Sequence, residues 1–261
     1  MKRSAVIFVM GLMAAAAAHA QSLELATLLG RPDSSQAFVS RTLAKSVALT
    51  SGQPELDFTT EMFSVLYRNG APRTAAIEIL ENTGAITERA WEQGIWAATL
   101  EAPVVLNVVG NSDMGSICVR MAEYVETAFV FVAGNDARRI LPDSDEALHC
   151  SSGNILRVAP LNVATLQIPE FTNVGASVRL AAPGVNIAVT GPGGRVGRRS
   201  NGSVAAALVA ARLAVLAREN PTLRGARLIE RFFEEETTLI PALQEKVESG
   251  RAWLGLRAHV L

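Results

Sequence analysis

Histidine is the scarcest chemistry-bearing side chain in this sequence: His19, His149 and His259 are the only ones in 261 residues. Charge of one sign is also lacking, with 24 Lys and Arg against 25 Asp and Glu. Without a basic excess there is no electrostatic footprint for a nucleic-acid partner. No cofactor or metal is expected. Aromatic residues make up 5% of the chain, while hydrophobic residues reach 49% with many alanines. That balance suits helices packed closely on a parallel sheet, and the length suits one large α/β domain.

No apolar run is long enough to span a membrane. Lys2 and Arg3 precede an apolar stretch from Ala5 to Ala18, and Ala18-His19-Ala20 has the small-x-small form of a cleavage site. Residues 1–20 are therefore expected to be a signal peptide, and the protein to be exported, either periplasmic or secreted. No second hydrophobic span follows, so no transmembrane anchor is expected after cleavage. Cleavage also removes His19. Residues 21–45 form an N-terminal lead-in: an amphipathic stretch from Leu23 to Leu29, a polar turn at Arg31 to Ser35, then Phe38 to Lys45. The segment suits a helical lead-in; the alternative, a removable pro-segment, would be too short for a folded inhibitor domain. Cys118 and Cys150 sit in a compartment that permits a disulfide, but pairing depends on a Cα separation that the sequence leaves open.

The densest stretch runs from Leu180 to Leu216. Ala182-Pro183-Gly184-Val185-Asn186-Ile187 ends in a glycine-rich loop, Gly191 to Gly197. Asn201-Gly202-Ser203-Val204-Ala205-Ala206-Ala207 then enters a helix that is apolar on nearly every face and so belongs in a core. No Lys-Ser or Lys-Thr follows Gly197, which excludes a phosphate-binding loop. A serine there can act as a plain N-cap, or the helix N-terminus can present it to developing negative charge. The order of these segments resembles the subtilases, the subtilisin-like serine peptidases, whose nucleophile segment reads APG-x-x-I, a glycine loop, then G-T-S-M-A-A-P. Gly202 replaces the threonine and Ala207 the proline. The resemblance implies an α/β fold of three layers, a mostly parallel sheet flanked by helices, with Ser203 at the nucleophile position.

The rest of the family pattern follows in order from Ser46 to Asn220, so residues 46–220 are expected to be the subtilisin-like domain and 221–261 a C-terminal helical extension of it. Val47 to Leu49 matches the strand that ends in the triad aspartate, which places Thr50 at that position. The triad histidine helix matches Phe58 to Leu66, with Phe58 at the histidine position, or Asp57 after a one-residue slip. Val104 to Gly110 resembles the cleft strand V-I-N-M-S-L-G, which makes Asn107, Val108 and Gly110 candidate cleft residues. Ala133-Gly134-Asn135-Asp136 resembles A-A-G-N-D, which adds Gly134 to the cleft and gives Asn135 the oxyanion position. Phe171 to Gly175 resembles F-S-N-Y-G. Strands are expected at Ala76–Leu80, Val104–Val108, Phe129–Val132 and Ile155–Ala159, and helices at Ile86–Leu100, Ile117–Glu126, Ser203–Ala217, Leu223–Glu236 and Ile240–Glu248.

A serine hydroxyl needs an adjacent base, here a histidine oriented by a buried carboxylate. Neither His149 nor His259 falls in the matching helix. The leading expectation is a catalytically degenerate pseudopeptidase that binds a peptide or protein in its cleft or serves as a scaffold. The alternative is a serine hydrolase whose Ser203 takes its base from His149 or Lys45. A third reading makes Arg195, Arg198 and Arg199 a surface for an acidic partner rather than a solvated loop.

Overall fold

A computed structural model describes residues 25–31, 38–43, 61–62, 64–65, 68–69, 74–80, 99, 102–107, 114–191 and 194–255. Among these, one nine-stranded sheet carries the fold. Its strands are β1 (Leu25–Arg31), β2 (Phe38–Leu43), β3 (Thr74–Leu80), β4 (Val104–Asn107), β5 (Ala128–Val132), β7 (Ile155–Leu161), β9 (Val178–Pro183), β12 (Thr237–Leu239) and β13 (Arg251–Trp253). They lie in the order β12-β13-β9-β7-β5-β4-β1-β3-β2. Every inner pairing is parallel. The two edge pairings, β2 on β3 and β12 on β13, are antiparallel. Two small two-stranded sheets, β6 (Arg139–Ile140) with β8 (Val174–Gly175) and β10 (Ile187–Thr190) with β11 (Val196–Arg199), sit outside it.

Strand alternation divides the core into two layers. On one face Val104, Leu106, Val130, Leu156, Val158, Leu180 and Ala182 pack against α3 (Gly202–Glu219) and α4 (Gly225–Glu236). The helix α3 buries alanines at 205, 206, 207, 210, 211 and 214, and residues this small let it lie close to the sheet. Its one inner charge, Arg212, donates from Nε to the Glu236 carboxylate of α4 at 2.7 and 2.9 Å. That hydrogen bond raises the Arg212 pKa against the cost of its burial. On the other face lie α1 (Met114–Glu123) and α2 (Asp145–His149), with Ala147 of α2 in one cluster with Ala159, Ala181 and Ala252.

The strands expected at Ala76, Val104, Phe129 and Ile155 are present, as are the helices at Ile117, Ser203 and Leu223. Two expectations need correction. The lead-in is not helical: residues 25–31 and 38–43 are strands of the main sheet, and β1 pairs in parallel with both β3 and β4. The second C-terminal helix, Ile240–Glu248, does not form. A 3-10 turn at Pro241–Leu243 stands there between β12 and β13. Ile240, Leu243 and Val247 have helical spacing and are all buried, but turns bury them. The paired β-branched residues Thr237 and Thr238 favour a strand, and Gly250 takes φ +62, which stops helix continuation. The strand expected at Val47–Leu49 and most of the helix at Ile86–Leu100 lie outside the described residues.

Candidate functional site

Strand order reverses between β1 and β4: later strands add outward from β4, earlier ones from β1. In an open parallel sheet, the crevice at such a reversal lies at the carboxyl ends of the strands. Asn107 ends β4 and is fully buried. Ala133-Gly134-Asn135 follows the end of β5. The sequence therefore delivers two of its candidate cleft residues to the same edge.

Ser203 meets this edge from the helix side. It is 6% exposed and is the second residue of α3, not its cap. Asn201 is the N-cap, its Oδ1 accepting from Val204 N–H at 2.9 Å. Asn135 Oδ1 accepts from Gly202 N–H at 3.1 Å. The N–H groups on either side of Ser203 are thus occupied, while that of Ser203 has no acceptor among the described residues. It stands at the positive end of the helix dipole, and the Asn135 amide is tied to the adjoining residue. An N–H and an amide NH2 placed in this way suit a carbonyl oxygen or an oxyanion. The Ser203 hydroxyl itself has no hydrogen-bond partner among the described residues.

The loop bearing Asn135 is held from beneath. Gly134 has φ +112, and a β-carbon there would lie 2.1 Å from Asn173 Nδ2, so only glycine fits. Asn173 is buried, and its Oδ1 accepts from Asp136 and Arg138 N–H, each at 3.0 Å. Its own N–H donates to Gly134 C=O at 3.0 Å. A second support is Arg157, 1% exposed in the middle of β7. Its guanidinium donates to Ala133 C=O at 3.2 Å, to Ser177 Oγ at 2.9 Å and to the Glu146 carboxylate, and lies over the Phe131 ring. Burial lowers its pKa, and the Glu146 charge works against that shift. Glu146 belongs to α2, whose C-cap, Cys150, is disulfide-bonded to Cys118 of α1 with a Cα separation of 5.0 Å. The pairing left open by the sequence is thus formed, and it anchors the helix that supplies the counter-charge.

Residues 61, 62, 64, 65 and 68 are helical and overlap in sequence the stretch matched to the family's histidine helix. Met62 and Val65 enter the core cluster of α3. Glu61, 7% exposed, accepts from Arg199 Nε at 2.6 Å and Nη2 at 2.8 Å. This bidentate pair ties that helix to the β10–β11 hairpin leading into Ser203. Thr50, Phe58, Val108, Gly110 and His259 lie outside the described residues. His149 ends α2, exposed, in the layer across the sheet from α3.

Sequence reasoning passed over Asn173, Arg157, Glu146 and Glu61. Asn173 carried a signal, since it lies in the stretch resembling F-S-N-Y-G. The others are long-range partners with no local pattern.

The family model described as "Subtilase family" matches residues 83–243. No curated protein matches the chain in sequence. Among solved structures, the chain is similar to the A-subunit of the AB5 toxin from E. coli, at 18% identity over 90% of this chain and 91% of that one, with a TM-score of 0.65. It is similar to a cold adapted subtilisin-like serine proteinase at 15% identity, covering 91% and 90% of the two chains, with a TM-score of 0.62. The prenylagaramide maturation protease PagA matches at 16% identity over 85% of each chain, with a TM-score of 0.58. At these identities the likeness is one of fold.

Proposed function

Because the chain belongs to the subtilase family, we propose that it is an exported subtilisin-fold protein that keeps the family cleft for binding and has lost peptidase chemistry. The observation that carries this reading is the place of His149, the one histidine among the described residues. It ends a short helix on the sheet face opposite α3, and that helix is tethered by Cys150 to α1. Thr50 and Phe58, matched to the triad aspartate and histidine, bring no charge and no proton acceptor. Loss of a triad member costs about four to six orders of magnitude in turnover. The Ser203 N–H and Asn135 amide remain suited to a peptide carbonyl. A peptide or protein segment lying along the carboxyl edge of β4 and β5 is the ligand this supports.

Incubating the mature chain with a random-sequence peptide pool, followed by mass spectrometry, tests the proposal. Bound peptides are expected to be recovered intact. Ser203→Ala is expected to leave binding unchanged, and Asn135→Leu to weaken it about tenfold, the worth of one hydrogen bond in a dry site. Peptide cleavage that stops in Ser203→Ala contradicts the proposal.

A further inference from the structure

Among the described residues, the outer edge of the β10–β11 hairpin at Val196 and Arg198 has no strand beside it. Its inner strand is fixed: Thr190 N–H donates to Ser64 Oγ at 2.9 Å, and Arg68 donates to Thr190 Oγ1. Among the described residues its outer strand, β11, pairs with β10 alone. Gly191 N–H donates to Arg195 C=O at 2.8 Å, and the register runs on through Val189 opposite Gly197 and Ile187 opposite Arg199. Antiparallel alternation then turns the N–H and C=O groups of Val196 and Arg198 outward. All of β11 is exposed, Val196 at 70%, and a β-carbon at Gly197 would meet nothing within 4 Å.

Side-chain alternation puts Val196 and Arg198 on one face, while Arg199 turns to Glu61 on the other. Arg198 uses Nη1 on Asn186 C=O at 2.7 Å, which holds its head group beside the strand. From Gly184 to Ser203 the chain contains Arg195, Arg198 and Arg199 and no Asp or Glu. A second copy of this edge would set arginines against arginines, which is unfavourable between paired strands. An acidic strand would not meet that penalty.

We propose that β11 is a docking edge for an extended acidic segment of a partner protein, added as a third strand of the hairpin sheet. Main-chain hydrogen bonds to Val196 and Arg198 supply affinity. An acidic side chain opposite Arg198 and an apolar one opposite Val196 supply selectivity. The proposal does not depend on the reading of Ser203.

The probe is a fluorescein-labelled peptide, Val-Thr-Glu-Thr-Val-Thr-Glu, titrated with the mature chain and followed by anisotropy. It is expected to bind about tenfold more tightly than the same peptide with Lys for Glu, and Arg198→Glu is expected to invert that preference. N-methylation of alternate peptide bonds, or Val196→Pro in the protein, is expected to weaken binding about tenfold through lost backbone bonds. No binding at millimolar peptide, equal affinity for the Glu and Lys peptides, or indifference to both backbone changes overturns the proposal.

Discussion

A β-carbon at Gly202 would lie 2.2 Å from Val132 Cγ2 and 3.3 Å from Asn135 Oδ1. In the family patterns G-T-S and A-A-G-N-D, the corresponding positions hold threonine and alanine. Here the bulk has moved from the residue before the serine to the end of β5, so the two departures are one exchange of volume. Gly202→Thr alone is expected to cost about 2–3 kcal/mol through overpacking. Adding Val132→Ala is expected to recover at least about 1 kcal/mol of that, a coupling read from thermal unfolding of the four proteins in a double-mutant cycle. Strict additivity would contradict the exchange. At this scale the sequence was informative where a residue sat inside a contiguous motif, as Gly134, Asn135 and Ser203 do. It said nothing of Arg157, because its partners Glu146, Ser177 and Ala133 come from three separate segments.

Among the elements, α2 is the least self-sufficient. With five residues it is too short to hold itself, and it depends on the Ser144 cap, the disulfide and the Glu146–Arg157 pair. The disulfide spans a sequence separation of 32 and should contribute roughly 3–4 kcal/mol by its constraint on the unfolded chain. Glu146→Gln leaves a buried guanidinium without its counter-charge, with an expected loss of about 3 kcal/mol. Arg157→Met added to it should be less damaging than the sum of the two single changes, because no charge then remains buried. Differential scanning calorimetry of the cycle checks this, and a zero coupling would show that the pair is not a unit. The elements that misled sequence reading share a cause. Leu23–Leu29 and Ile240–Glu248 each have amphipathic spacing, yet residues 25–31 pair into the sheet and residues 240–250 turn between the paired strands β12 and β13. Periodicity reports which residues are buried more securely than which element buries them.

For the whole molecule, a sheet with helical layers on opposite faces separates Ser203 in one layer from His149 in the other. The parallel sheet was legible because buried parallel strands read as apolar runs, and β4, β5, β7 and β9 are such runs. Its antiparallel edges were not, since β2, β12 and β13 mix polar and apolar residues. Among the described residues no helix is long and apolar enough to cross a membrane. The central claim is that this subtilase retains its cleft around a serine with no base. Reaction of the purified mature protein with a fluorophosphonate probe, quantified by intact-mass spectrometry, tests that claim most directly. The account predicts no adduct under conditions that fully label an active serine hydrolase. Stoichiometric labelling that disappears in Ser203→Ala would contradict it.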